Sequence, residues 1–139
     1  MKKIIKLTIY SIIVFCLCSL QVFCKPENKY KGTIAIDLDG VLDNYENYDV
    51  NNIPNIKSGA KEFLQELHNM GYSLILFTNR KPLSASKWLI ENKIDKYFSD
   101  VTNVKPKASI YIDDRAVKFN GSYDKTLQDI ADFNVYWKK

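Results

Sequence analysis

The sequence is poor in the residues that staple small proteins together or hold soft metals. One histidine, His68, occurs among 139 residues, and the three cysteines, Cys16, Cys18 and Cys24, all fall within the first 24. No Cys/His cluster of zinc-binding spacing exists, and the residues after Cys24 have no thiol with which to form a disulfide. A domain built from them has to hold together by its core, which a chain of this length can supply. A basic field is missing too. The overall charge of +4 falls to +1 once the three lysines of the first 24 residues are set aside, which removes the electrostatic case for nucleic-acid binding. Internal repeats and low-complexity tracts are absent, and 46% hydrophobic with 26% charged residues is an ordinary globular balance.

What is present begins with an unusual leader. Lys2, Lys3 and Lys6 precede an uncharged, largely apolar stretch from Leu7 to Cys24, the layout of a secretory signal peptide. Cleavage before Lys25 would put Val22 and Cys24 at the minus-three and minus-one positions. The expectation is a secreted or periplasmic domain; the alternative is an uncleaved N-terminal membrane anchor, since the stretch approaches the length of a span. Lipidation is disfavoured, because Gln21, Val22 and Phe23 are not the small residues that precede a lipidated cysteine.

Residues 25–32 read as a polar linker, and residues 33–139 as one domain. A strand is expected at residues 33–38, then a loop rich in Asn, Asp and Tyr, then a helix from Ser58 on which Ala60, Phe63, Leu64, Leu67 and Met70 share a face. "YSLILF" is a buried strand ending at Thr78. A helix over residues 83–92 follows, with Pro82 in its first turn and Trp88 and Leu89 pointing inward. Strand-like "SDVTNV" and "ASIYI" come next, then a turn at Asn120 and Gly121, a helix over residues 124–132, and "NVYW" as an edge strand. Strands alternating with helices imply right-handed crossovers and an α/β, doubly wound three-layer sandwich with a mostly parallel central sheet.

Functional groups in such sheets gather at the carboxyl ends of the strands. Three of these ends change abruptly from apolar to polar: Asp37 with Asp39, Thr78 with Asn79 and Arg80, and Asp113 with Asp114 and Arg115. Asp37 and Asp39, two apart, are expected on one face of the strand end with Gly40 behind them. Carboxylates from two strand ends make a hard-oxygen environment suited to Mg²⁺, with Lys105 or Lys107 adding positive charge. A hydroxyl and backbone N–H groups at Thr78 and Asn79 suit phosphate oxygens. Arg80 and Arg115 can grip a substrate phosphate or carboxylate bidentately, or tie down the neighbouring aspartates. The assembled chemistry is phosphoryl transfer.

The order D-L-D-G-V-L, L-F-T-N-R, K-P and Y-I-D-D-R resembles the haloacid dehalogenase superfamily of phosphohydrolases, in its small capless branch with a Rossmann-like core. The resemblance runs from Ile34 to about Phe133. It implies Asp37 as a nucleophile that forms an aspartyl-phosphate and Asp39 as general acid and then general base. It implies Thr78 on the phosphoryl group and Lys105 steadying nucleophile and phosphate. Asp113, with Asp114 nearby, would complete the Mg²⁺ site with Asp37 and the backbone carbonyl of Asp39. Eight positions separate Lys105 from Asp113 where many members have a helix, which leaves Lys107 as a competitor for the lysine role.

Other readings of these residues fare less well. An EF-hand loop needs glycine at its sixth position and Glu at its twelfth, whereas Gly40 is fourth from Asp37 and the twelfth residue is Tyr48. A phosphorylated receiver domain has its acidic pair and lysine in another order. Helix caps and turn closers explain any one of the polar strand ends but not all of them in register. Neither the gap at residues 42–58 nor that at residues 78–105 can hold a cap domain. The site is therefore expected open, flanked by Tyr45 and Tyr48, and selective for an extended or polymeric phosphorylated substrate. Polynucleotide-end or nucleotide phosphatase is the competing specificity, and a catalytically silent secreted binding protein on the same fold is the alternative class.

Overall fold

The apolar run that precedes Asp37 becomes the first strand of a four-stranded sheet in the computed structural model, which describes residues 30–138. The leader at residues 1–24 and most of the linker lie outside the described residues, and so does the choice between export signal and anchor. Among the described residues no helix is long and apolar enough to cross a membrane.

The elements follow as β1 (Gly32–Ile36), α1 (Ala60–Asn69), β2 (Tyr72–Phe77), α2 (Pro82–Glu91), a 3-10 turn (Asp95–Tyr97), β3 (Phe98–Thr102), β4 (Ile110–Ile112) and α3 (Tyr123–Ala131). The sheet order is β3-β2-β1-β4, and all three pairings are parallel. This is the expected α/β architecture with a parallel sheet, and no cap domain is present among the described residues. Ile34 pairs with Leu74 and Ile110, and Ile36 with Leu76 and Ile112, so strand alternation gathers these apolar residues on one face. There all but the exposed Ile110 meet Ala60, Leu64 and Leu67 of α1 and Ala85, Trp88 and Leu89 of α2. Both helices lie on that face because β1 to β2 and β2 to β3 are right-handed crossovers stepping in the same direction. The buried stripe of α1 is narrower than its apolar composition: Phe63 and Met70 stay partly in water.

The connection from β3 to β4 steps back across β1 without a helix, and α3 buries none of its residues. Between β1 and α1 the chain forms a pinned loop, closed by an antiparallel bridge from Asp43 to Ile56 and by Asn44 N–H donating to the Asn55 carbonyl at 2.9 Å. The Trp88 indole donates to the Pro54 carbonyl at 2.8 Å, so this loop rests on α2. The edge strand expected at residues 134–137 does not form. Tyr136 instead finds a partner in the turn after β1, at Gly40, and Trp137 one just past β4, at Asp114.

Candidate active site

Asp37 is the first residue past β1, and its N–H continues the ladder by donating to the Ile112 carbonyl at 2.9 Å. That bond sets it beside Asp113 and Asp114, which follow β4. Carboxylate oxygens of Asp37, Asp113 and Asp114 all lie within 4.8 Å of one another. Asp37 is buried and Asp113 exposed, while the Asp114 side chain is only 2% exposed. Burial pushes the Asp37 carboxyl up to about 7, with Asp113 and Asp39 adding to the rise and a backbone N–H at Leu38 and the Arg115 guanidinium opposing it.

The Asp39 carboxylate is not among these three clustered acids. The strand ends at Ile36, and a turn follows in which Leu42 N–H donates to the Leu38 carbonyl at 2.9 Å, so the two-residue alternation stops short of Asp39. Its carboxylate meets Arg80 instead: Nε donates to Oδ1 at 2.9 Å and to Oδ2 at 3.2 Å, and Nη2 lies 2.8 Å from Oδ1. Both side chains are 2% exposed. Arg80 Nη1 also donates to the carbonyls of Asn52, at 2.9 Å, and Asp49, and the guanidinium lies over the Tyr48 ring. Of the two expectations for Arg80, this geometry matches the tie to a neighbouring aspartate. Nε and Nη1 are engaged by Asp39 and the pinned loop, Nη2 lies against Asp39 without a hydrogen bond, and Arg80 does not line the cavity described next.

That cavity, of about 360 Å³, is lined by Asp37, Phe77, Thr78, Asn79, Asp113 and Arg115. Thr78 Oγ1 accepts the Arg80 N–H at 3.2 Å, leaving the hydroxyl proton for an oxygen in the cavity. Arg115 is turned back onto the acids. Its N–H donates to Asp113 Oδ1 at 2.8 Å, Nη2 to Asp37 Oδ2 at 3.3 Å, and Nε lies 3.3 Å from Asp114 Oδ1. Burial opposes its charge, but Asp37 and Asp114 outweigh that and raise its affinity for the proton. Lys105 forms no ion pair among the described residues. Its ammonium sits over the Tyr111 ring, 4.8 Å from the centroid, and that ring meets Phe77 of the cavity wall edge-on. Lys107 is exposed.

The turn after β1 depends on residues that carried no role in the sequence-based reading. Asp43, fully buried, accepts the Gly40 N–H on Oδ1 at 2.8 Å, and burial raises its carboxyl to about 6 against the pull of that bond. Lys57 donates to the Gly40 carbonyl at 2.8 Å, as does the Tyr136 hydroxyl. A carboxylate three residues after a glycine, as in G-V-L-D, is a turn-closing signal that was available. Nothing local marks Lys57 or Tyr136. Gly40 itself has a φ of +82°, and a Cβ there would meet Asp114 Oδ2 at 2.5 Å and Trp137 Nε1 at 3.0 Å. Gly40→Ala is expected to cost several kcal/mol through backbone strain and collision with Asp114. A denaturation midpoint within error of wild type would contradict that geometry.

The three clustered carboxylates fit a hard divalent cation. Asp114 Oδ1 is buried and accepts no hydrogen bond, and Arg115 Nε beside it is misaligned for one. An orphaned carboxylate oxygen on an acid clustered with two others is what a cation would satisfy.

Comparison with protein families matches residues 20–113 to the haloacid dehalogenase-like hydrolases. The chain belongs to this family, whose members typically use a divalent metal. A solved structure of a conserved protein from Bacteroides thetaiotaomicron has the same fold, with 24% identity, a TM-score of 0.51, and coverage of 73% of this chain and 90% of that one. An uncharacterized protein from Listeria monocytogenes serotype 4b aligns at 18% identity and a TM-score of 0.42, over 55% of this chain and 51% of that one. Comparison with curated proteins found no match.

Proposed function

We propose that the protein is a Mg²⁺-dependent phosphohydrolase that cleaves phosphate monoesters through an aspartyl-phosphate on Asp37. The observation that carries this reading is a buried carboxylate at the wall of a polar cavity, within 4.8 Å of two further acids from the neighbouring strand end. Asp37, Asp113 and Asp114 would hold the cation, with the Asp39 carbonyl as a further oxygen. Bound there, it supplies positive charge that favours the ionised nucleophile and offsets charge on the transferring group.

A carboxylate oxygen of Asp37 forms a bond to phosphorus as the ester P–O bond breaks, and Asp39 gives the leaving oxygen its proton. Asp39 then takes a proton from the water that attacks phosphorus, and Asp37 is released. Arg80 suits Asp39 to this work by fixing it. Oδ1 faces two guanidinium nitrogens while Oδ2 has only the longer contact from Nε, so Oδ2 is the oxygen for proton exchange. The Thr78 hydroxyl and Asn79 hold the phosphoryl oxygens, and Arg115 exchanges its carboxylates for the substrate. Lys105 reaches the phosphate from over Tyr111.

Hydrolysis of an aryl phosphate with and without Mg²⁺ tests the reading. Asp39→Asn should lower kcat for an alkyl phosphate by about 10²- to 10⁴-fold, and less for an aryl phosphate, whose leaving group needs less protonation. Equal losses would remove Asp39 from the acid role, and no Mg²⁺-dependent turnover of any phosphate monoester would favour a silent binding protein. No cap among the described residues encloses the cavity, which supports an extended phosphorylated substrate, and the leader's layout supports export of the domain. A panel of phosphometabolites, phosphopeptides and phosphorylated oligonucleotides distinguishes the specificities, including polynucleotide-end and nucleotide phosphatase.

A further inference from the structure

The end of the chain, remote in sequence from every motif, closes on the acidic cluster. Trp137 Nε1 donates to Asp114 Oδ2, and its ring meets Tyr45 edge-on at a centroid distance of 4.9 Å. Tyr45 is buried although it stands in the pinned loop, and its other side is met by Arg115, 5.6 Å from the ring centroid. One residue earlier, Tyr136 donates to the Gly40 carbonyl and lies beneath the Lys57 ammonium, 4.4 Å from its ring centroid. The tail is thus fixed at two points, Gly40 in the turn after β1 and Asp114 past β4, and the absence of a side chain at Gly40 makes room for both Asp114 and the indole.

We infer that Trp137 is a positioning residue for the metal-ligating oxygen of Asp114. This rests on the proposal that the cluster holds Mg²⁺. A carboxylate has two oxygens and rotates about one bond. With Oδ2 held by the indole, Oδ1 is the oxygen left for a cation shared with Asp37 and Asp113, and it is the one without a hydrogen bond. Outer partners of this kind set the orientation of a metal-bound carboxylate, and removing one typically costs about 10- to 100-fold in metal affinity. The indole is suited to the task because it only donates and cannot itself become a ligand.

Trp137→Phe keeps a ring against Tyr45 and removes the N–H. In calorimetric titration of the full chain with Mg²⁺ alone, it should weaken binding about 10-fold or more, and the Mg²⁺ concentration for half-maximal turnover should rise while kcat at saturating Mg²⁺ stays near wild type. A role in packing alone predicts unchanged Mg²⁺ affinity, and that result in a variant with a native circular dichroism spectrum overturns the inference. Wild type that takes up no Mg²⁺ overturns the metal reading and the inference with it. Emission provides a second measurement. Trp88 and Trp137 are the chain's two tryptophans, so Trp88→Phe leaves Trp137 as the single reporter. Its emission should change saturably with Mg²⁺ at the calorimetric midpoint. No change while calorimetry records binding would overturn the inference even if Trp137→Phe did not fold.

Discussion

Asp37→Asn should abolish turnover and at the same time make the metal-free protein harder to unfold at pH 8. The first effect follows from the proposed nucleophile: an amide cannot displace the ester oxygen, and losses for such groups run to about 10⁴-fold or more. The second follows from burial. The carboxyl is pushed from 3.8 to about 7 in the folded chain, so between those values the native state binds a proton that the unfolded state has released. Stability therefore falls as pH rises from about 4 to 7, and the full cost is present above pH 7. Asn carries no such cost. Its melting temperature in EDTA should exceed that of wild type by about 5 °C at pH 8, with the gap closing toward pH 4. Asp43, also raised, to about 6, contributes in the same direction to both proteins and cancels in the difference. Mg²⁺ should stabilise wild type more than the variant. Substantial residual turnover would remove Asp37 as nucleophile, and a pH-independent gap would show that its burial does not carry the charge cost.

Arg80→Ala should be among the most destabilising single changes in the domain, at about 3 to 5 kcal/mol. The loss has two sources. Asp39, 2% exposed, would keep a buried charge with its guanidinium partner gone. The carbonyls of Asp49 and Asn52 would lose their donor, and with it the tie that draws the pinned loop over the strand end. The first source can be separated by a double-mutant cycle in urea. Asp39→Asn in the Arg80→Ala background should restore part of the loss, because the unpaired charge disappears with it. A loss below about 1 kcal/mol would mean that water reaches Asp39 readily and the pair behaves as a surface one.

Sequence patterns that report on a single element were legible. Alternation and apolar runs located the strands, Pro82 opened α2, and the change from apolar to polar at three strand ends marked where Asp37, Thr78 and Asp113 would converge. Those signals work because parallel pairing brings consecutive strand ends to one edge regardless of loop detail. Choices made across the chain were not legible. Arg80 had two targets within reach, a substrate group or a neighbouring aspartate, and the structure pairs it with Asp39. The family resemblance aligned Lys105 while its spacing to Asp113 left Lys107 in competition, and the structure lays Lys105 over Tyr111. Trp137 reaches Asp114 across 23 positions and Tyr136 reaches Gly40 across 96, and no local periodicity encodes such contacts.

The helix that leads to this tail stands apart from the core. α3 is held by a Ser122 cap, a Lys125 to Asp129 pair and its own backbone ladder, and it buries no side chain. A nine-residue helix with only local support is marginal in water, so its amides should exchange with solvent through frequent local opening rather than through global unfolding. The tail that orders Asp114 is consequently tethered through the least protected helix of the domain. The grip of Tyr136 and Trp137 on the site must come from their own contacts.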